Sequence, residues 1–253
     1  IRDRSCASAP CCVRSRPGCI RTGATVIANE SHMPGKVYIG SKVKRGVKGS
    51  APKHGRANGS TRYVDVTSAQ PTTNPYRRAF SPMDLSLGAY HAPDGHTYAC
   101  FENYWQSLKV HEGRDHAKDL AWWRKAKKAH RRRPGTKGVL VLHAADEERV
   151  PGATFKYVES RKFFYVKDYR RKIQKCPQAQ RMMECMRKTL EHEHVVITDY
   201  DGPRDANGEP ACEEVTIDLL RKKLHDETHP FGHGYVVAAE LLAIPSAAFL
   251  APP

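Results

Sequence analysis

Apolar side chains recur at Phe101, Tyr104, Trp105 and Leu108. The spacing i, i+3, i+4, i+7 predicts a helix starting near Ala99 with one aromatic face turned to a core. Glu102, Gln106 and Lys109 fall at i, i+4 and i+7 on another side of that helix. A carboxylate, an amide and an ammonium thus line up beside a wall of aromatics. A carboxylate held next to aromatics loses solvation and becomes a tuned base or charge stabiliser. An ordinary amphipathic helix with a solvated polar edge has the same spacing, so both readings stand.

The rest of the pattern predicts short elements. Thr61–Ser68 alternates and reads as a first strand. Gln70–Pro82 reads as a Pro/Asn/Thr loop, and Pro93-Asp94-Gly95 as the turn of a hairpin between Ala89–His91 and His96–Tyr98. Gly113 ends the Glu102 helix, and Asp115 caps the next, which carries Leu120, Trp122 and Trp123 and runs into Arg124–Lys137 until Pro134-Gly135 stops it. Val139–Leu142 is a short apolar strand, and Tyr157–Lys175 is aromatic and basic. Pro177 opens a helix whose Met182, Met183, Met186 and Leu190 are most simply core packing. Val195–Ile197 is a buried strand and Glu213–His225 a helix using Val215, Leu219, Leu220 and Leu224. Phe231–Gly234 is a tight loop before a last apolar helix, Tyr235–Ile244, stopped by Pro245. There is no internal repeat. The expected fold class is α+β, predominantly helical: a single compact multihelical domain with a few short strands over 61–245, preceded by a basic disordered N-terminal arm (1–60) and followed by a tail (246–253).

Charge sharpens that division. The formal net charge of +15 is concentrated in front, with +11 in residues 1–62 and only +4 in the remainder. A basic arm of this kind meets nucleic acid or another polyanion, or is a solvated tail with no partner. Residues 34–60, rich in Gly, Lys, Ser and Pro, read as disordered or linker. The first Met is Met33, and residues 1–32 read as non-native upstream translation. Cys6, Cys11, Cys12 and Cys19 cluster at the front without a CxxC pair or a nearby His, so zinc is a weak reading there. Ile1–Ile20 lacks the continuous apolar core of a signal peptide, and no run of about 18 apolar residues exists. The expected location is cytoplasmic or nuclear, not secreted and not membrane, with reduced cysteines in the body. The oligomeric state is left open.

Several groups carry candidate chemistry. Asp199 and Asp201 follow an apolar strand and precede Gly202-Pro203-Arg204. Two carboxylates and a guanidinium this close suit a sugar hydroxyl and a phosphate, and equally an Asp-Gly-Pro turn with a surface ion pair. Phe231-Gly232-His233-Gly234 before a helix presents backbone N–H groups to an anion, or only shapes a turn. His225-Asp226-Glu227-Thr228-His229 is like the zinc helix HExxH with Asp for Glu, but Pro230 follows and no third ligand is evident, so no metal is expected. His192-Glu193-His194 reads as a solvated helix end. The run Arg124–Lys137, with Arg131, Arg132, Arg133 and Lys137, holds eight basic residues and no acid beside Trp122 and Trp123, and suits phosphates of a nucleotide or nucleic acid. Arg161 and Lys162 among Phe163, Phe164 and Tyr165 offer a cation and a stacking surface to a base.

The segment Gly95-x-x-Tyr98-x-x-x-Glu102-Asn103-Tyr104-Trp105-Gln106-x-x-Lys109 resembles the NADAR family pattern, in which a glycine–tyrosine approach leads to a Glu-His-Tyr-Tyr-Gln helix and a Lys. That family comprises N-glycosidases acting on phosphoribosylated intermediates of riboflavin synthesis or removing ADP-ribose from modified bases, on a compact, mostly helical fold. The resemblance implies Glu102 as the motif glutamate and Tyr104, Trp105, Gln106 and Lys109 as its neighbours. The motif His is Asn103 here, and the family's Trp-Gly loop would be Phe231-Gly232-His233-Gly234. The clear match covers about sixteen residues, and these departures suggest a divergent branch, viral in expectation.

The resulting expectation is hydrolysis of an N-glycosidic bond in an ADP-ribosyl or phosphoribosyl-linked base, through an oxocarbenium-like state. Glu102 would be the base or charge stabiliser, Asp199 or Asp201 the second carboxylate, and Tyr104 or Trp105 the wall for the base. Arg204, Lys109 or the basic run would hold phosphate. No cofactor is expected. The partner would be a nucleotide-sugar or ADP-ribosylated substrate, with nucleic acid on the arm. Two other expectations are a non-enzymatic nucleic-acid-binding protein that uses the arm and the 124–137 run, and a degenerate member that recognises ADP-ribose without cleaving it.

Overall fold

The computed structural model describes residues 35–41, 61–136, 141–144 and 154–251. The expectations for residues 1–32, for the front cysteines and for Lys137 lie outside these. In chain order the elements are β1 (Val37–Ser41), β2 (Thr61–Asp65), α1 (Pro75–Phe80), the β3–β4 hairpin (Tyr90–His91, Thr97–Tyr98), α2 (Phe101–Ser107), β5 (Lys109–His111), α3 (His116–Lys125), β6 (Val141–Ala144) and β7 (Thr154–Phe155). There follow α4 (Tyr157–Ser160), a π turn (Arg161–Tyr165), α5 (Val166–Lys175), α6 (Pro177–Leu190), β8 (His194–Asp199), β9 (Cys212–Glu214), α7 (Ile217–His225), α8 (His233–Leu241) and α9 (Ser246–Leu250). The fold is α+β.

Its organising layer is a four-stranded sheet in the order β2-β8-β1-β9. β8 lies between β2 and β1 and runs parallel to both, while β9 is antiparallel to β1. A strand paired on both sides and covered on both faces must be apolar throughout. His194, Val195, Val196 and Ile197 of β8 are all buried. The register aligns Val37 with Val195, Ile39 with Ile197, and Val64 with Ile197. These five side chains share one face of the sheet and one core, and α8 packs on β8 and β1. A smaller antiparallel sheet, β5-β6-β7, lies beyond.

Four expectations are corrected here. Val37–Ser41, assigned to the low-order arm, is an inner strand with Val37 and Ile39 buried; three apolar residues followed by Gly-Ser between lysines carry too little periodicity to stand out. The 246–253 tail contains α9, and Phe249 in it is fully buried. Cys212–Glu214 is an edge strand, and the helix after it starts only at Ile217, capped by the Thr216 hydroxyl accepting from the Leu219 amide at 3.1 Å. The Gln70–Pro82 loop also contains a helical turn and a half. Asn74 caps it by accepting from the amides of Tyr76 and Arg77 at 2.9 and 3.1 Å, with Pro75 next in the first helical position. As expected, Asp115 caps α3, and Met183 and Met186 are core. Among the described residues no helix is long and apolar enough to cross a membrane.

Candidate active site

The carboxyl ends of parallel strands are where an open sheet offers exposed loops and unpaired backbone, and ligands collect at the point where the strand order reverses. β2 and β8 end side by side, at Asp65 and Asp199. A cleft of about 540 Å³ opens at that edge. Its lining comes from the β2 end (Ser68), the segment after α1 (Ser81, Pro82, Met83), α2 (Glu102), the basic loop (Arg131), the π turn (Tyr165), the β8 end (Asp199, Tyr200, Asp201, Arg204) and α8 (His233). Glu102, the Asp-Tyr-Asp segment, Arg131, Arg204 and His233, scattered over 132 positions of sequence, therefore share one cavity.

Glu102 sits in the first turn of α2, its carboxylate accepting from Gln106 Nε2 at 2.7 Å, one helical turn on. Burial raises its pKa, and the Gln106 amide, Lys109, His233 and Arg131 oppose the rise. Burial in turn lowers the pKa of Lys109, and the Glu102 charge opposes that fall. Glu102 thus meets both the Gln106 amide and the Lys109 ammonium, but Lys109 acts from β5, because α2 ends at Ser107 and does not run on to Gly113.

Asp199 and Asp201 part company. Asp199 is 2 % exposed, and its oxygens are occupied. Oδ1 accepts from the Tyr200 amide at 2.7 Å, and Oδ2 accepts from the Gly234 amide at 2.8 Å. This carboxylate closes the N-terminus of α8, where free N–H groups and the helix dipole favour an anion. His233 Nδ1 lies 3.1 Å from the same Oδ2, while His233 Nε2 donates to the Val66 carbonyl at 3.0 Å. Both ring nitrogens are thereby held, one at Asp199 and one at Val66. Asp199 holds His233 and α8 in place; it is a positioning residue, which corrects the expectation that it act as a free catalytic carboxylate. Asp201 keeps contact with solvent at the cleft mouth. Crowding of its carboxyl and the nearby Asp199 charge raise its pKa, against His233, Arg131 and Arg161.

The glycines on either side of His233 matter through space. A Cβ on Gly232 would fall 2.4 Å from Asp199 Oδ2 and 2.8 Å from Asp201 Cβ; one on Gly234 would fall 2.8 Å from Asp199 Cβ and 2.9 Å from Ile39 Cδ1. Only a residue without a side chain lets α8 approach the β8 end this closely.

The basic run is corrected as well. α3 stops at Lys125, and residues 126–136 form an irregular segment rather than a continued helix. Asn103, fully buried in α2, holds it: Nδ2 donates to the Lys128 carbonyl at 2.8 Å and Oδ1 accepts from the His130 amide at 2.9 Å. Arg131 follows at once and reaches the cleft. Arg133 turns away, donating to Asp119 at 3.0 Å and lying 4.3 Å over the Trp122 ring. Arg132 is exposed.

Other expected site residues fall behind the cleft. Tyr104 is buried and donates to Asp168 at 2.8 Å. Trp105 is buried edge-on against Tyr165, with centroids 4.9 Å apart, and supports the wall rather than forming it. Phe231 is buried in a stack with Tyr235, centroids 5.0 Å apart. Arg161, expected at a base, is 1 % exposed and donates to the Asp226 carbonyl at 2.7 Å and the His229 carbonyl at 2.6 Å, tying down the turn after α7. His225 Nδ1 lies 2.8 Å from the Arg221 carbonyl and His229 Nδ1 lies 3.0 Å from Asp226, so the two histidines serve separate partners. Among the described residues no group of three or more His, Cys, Asp or Glu is arranged to hold a metal.

Tyr165 is the lining residue that sequence reasoning placed only within an aromatic–basic stretch. It closes a π turn, a local widening of the helix that often marks functional positions. Burial pushes its phenol far above the ordinary tyrosine range, and Tyr169 and the cleft carboxylates add to this, so it is present as a neutral hydroxyl. The π turn itself has no signature in composition.

A family model described as a family of unknown function, DUF6939, matches residues 48–211. That is more than half of the chain, and the chain belongs to this family. The matched segment contains Glu102, Arg131, Asp201 and Arg204, but ends before His233. No curated protein and no solved structure matches.

Proposed function

We propose that this member of a family of unknown function hydrolyses an N-glycosidic bond of a phosphorylated ribosyl substrate, an ADP-ribosyl or phosphoribosyl-linked base. The observation that carries the reading is the meeting, in one cleft, of two carboxyl groups with raised pKa, Glu102 and Asp201, and two guanidinium groups, Arg131 and Arg204. The reaction class comes from the resemblance to NADAR N-glycosidases around Glu102. Cleavage sends the bonding electron pair to the base nitrogen and leaves positive charge on the sugar, which a carboxylate at the anomeric carbon stabilises. Glu102 takes that place and accepts a proton from the incoming water. Asp201, whose raised pKa favours the protonated form, gives its proton to the departing nitrogen. Arg131 and Arg204 hold phosphate oxygens. His233, fixed by Asp199 and Val66, presents its ring to the substrate in the cleft. Tyr165 and Tyr200 wall the sugar or base, the part the sequence reading gave to Tyr104 and Trp105.

The nucleic-acid reading of the basic run is weaker on this geometry. Arg133 is committed to Asp119 and Trp122, and Arg124 lies 3.8 Å from Asp94. The test is mass-spectrometric detection of released base and sugar. Full-length protein, wild type, Glu102→Gln and Asp201→Asn, is incubated with ADP-ribosylated DNA and with a phosphoribosyl-aminopyrimidine. Release by wild type, lost in Glu102→Gln, is expected. No release from folded wild type refutes the hydrolase reading and leaves recognition without cleavage.

A further inference from the structure

A second cleft, of about 700 Å³, opens on the other side of the segment that follows α1. Its volume lies within the roughly 300–1,000 Å³ of small-molecule sites. Its lining is of two kinds. One part is cationic: Arg171, Lys172 and Lys175 from α5, Arg181 from α6, and Arg78 from α1. The other part is apolar and aromatic: Tyr90, Phe101, Leu87 and Pro93 among others. Among the described residues the single acid of the lining, Asp84, is already engaged. It accepts from the Ser86 amide at 2.8 Å and lies 3.6 Å from Arg77. Among the described residues neither Arg171 nor Lys175 has a hydrogen-bond or ion-pair partner.

The cations converge on the start of α6. Pro177 and Gln178, its first residues, line the same cleft. Pro177 has no N–H, and the Cys176 thiol receives only the Ala179 amide, at 3.5 Å. The helix therefore adds positive partial charge to five positive side chains that have no free acid to face among the described residues. Like charges gathered in a concave site repel one another and lose hydration, which is unfavourable unless an anion arrives. Lys172 registers the lost hydration: burial lowers its ammonium to about 8, and it donates to the Ser81 carbonyl over a long 3.4 Å.

We infer that this cleft binds a small phosphorylated ligand with a flat ring, of the nucleoside diphosphate class: phosphates among Arg171, Lys175, Arg181 and the α6 N-terminus, and the ring against Tyr90, which Phe101 backs edge-on from the core. Planar guanidinium groups match phosphate oxygens two at a time, and aromatic walls receive a ring of any base. The site is separate from the proposed chemistry at Glu102 and stands without it. Because Lys172 also touches Ser81, which lines the first cleft, a ligand here bears on one wall of the other site.

Isothermal titration of the full-length protein with ADP, pyrophosphate and adenosine tests this. ADP binds wild type; pyrophosphate and adenosine each bind about tenfold or more weaker. Arg171→Ala with Lys175→Ala, two exposed positions, reduces ADP affinity about tenfold or more, with circular dichroism unchanged. Arg131→Ala leaves ADP binding at this site intact. The inference is overturned by no ADP binding, by equal binding of pyrophosphate, by full affinity in the double variant, or by loss of binding in Arg131→Ala alone, which assigns the nucleotide to the first cleft. Preference for a single-stranded oligonucleotide over ADP also overturns it.

Discussion

Asn103→Ala isolates what delivers Arg131 to the cleft. The Asn103 side chain is fully buried and makes two hydrogen bonds to the backbone of the 126–136 segment, at 2.8 and 2.9 Å. Each is worth about 0.5–1.5 kcal/mol net, so truncation lowers the local stability of the segment by about 2 kcal/mol. The exposed Lys128 side shows that water reaches part of this backbone, so the loss is local rather than global. An opening equilibrium weakened by about 2 kcal/mol raises the open population about 30-fold. Trypsin reads this directly, since Lys127, Lys128, Arg131 and Arg132 are cleavage sites in the segment. Under conditions where reclosing outpaces cleavage, the initial rate of cutting within 126–136 rises in proportion, while cutting elsewhere changes little. The global melting temperature falls by about 4–8 °C if the segment is part of the cooperative unit, and less if it opens on its own. A cleavage rate within about threefold of wild type refutes the argument that Asn103 holds the segment.

Four further outcomes follow from the same geometry. Gly232→Ala forces a methyl to within 2.4 Å of Asp199 Oδ2, and such overpacking lowers stability by about 1–3 kcal/mol in urea unfolding; Gly208→Ala, with a φ of 78° and open space around it, carries only backbone strain and serves as the comparison. A fragment starting at residue 61 loses β1, which pairs with both β8 and β9, and does not give a cooperative unfolding transition; a sharp transition at wild-type temperature contradicts the central place of this strand. Phe249→Ala empties a fully buried site in α9 and costs about 3–5 kcal/mol, measured by denaturant titration. Glu102 has a folded-state pKa above its unfolded value, so its ionisation weakens the fold as pH rises from the unfolded pKa, about 4.3, through the folded one. Glu102→Gln is therefore more stable than wild type at pH 7, and the difference shrinks toward pH 4; an equal difference at both pH values counts against a desolvated carboxylate.

Local periodicity was enough for the elements whose partners lie within one turn. The aromatic face of α2, the Asp115 and Pro177 helix starts, the methionine stripe of α6 and the Asp-Gly turn of the β3–β4 hairpin each follow from spacing or from the conformational habit of one residue. The same logic found the Glu102–Gln106 pair and marked Asp201, Arg204, Arg131 and His233 as chemically able residues. Spacing says nothing about which of them meet. That was decided by long-range strand pairing: β8 enters between β1 and β2, and the two strand ends then bring Asp199 against Gly234 and His233 against Val66. The two aspartates two residues apart become a helix anchor and a cleft carboxylate because β8 ends at Asp199, under α8, while Asp201 lies in the turn beyond the strand. β1 was missed because a strand buried on both sides shows no alternation, and its five residues sit in a basic, glycine-rich context. Arg161 and Arg133 were read as free cations because a side chain's charge is visible in sequence and the carbonyls or carboxylate that consume it are not. The residue types able to do the chemistry were thus set by the sequence. Their selection into one site came from contacts between residues far apart in the chain, whose energies depend on distance and burial that no local pattern encodes.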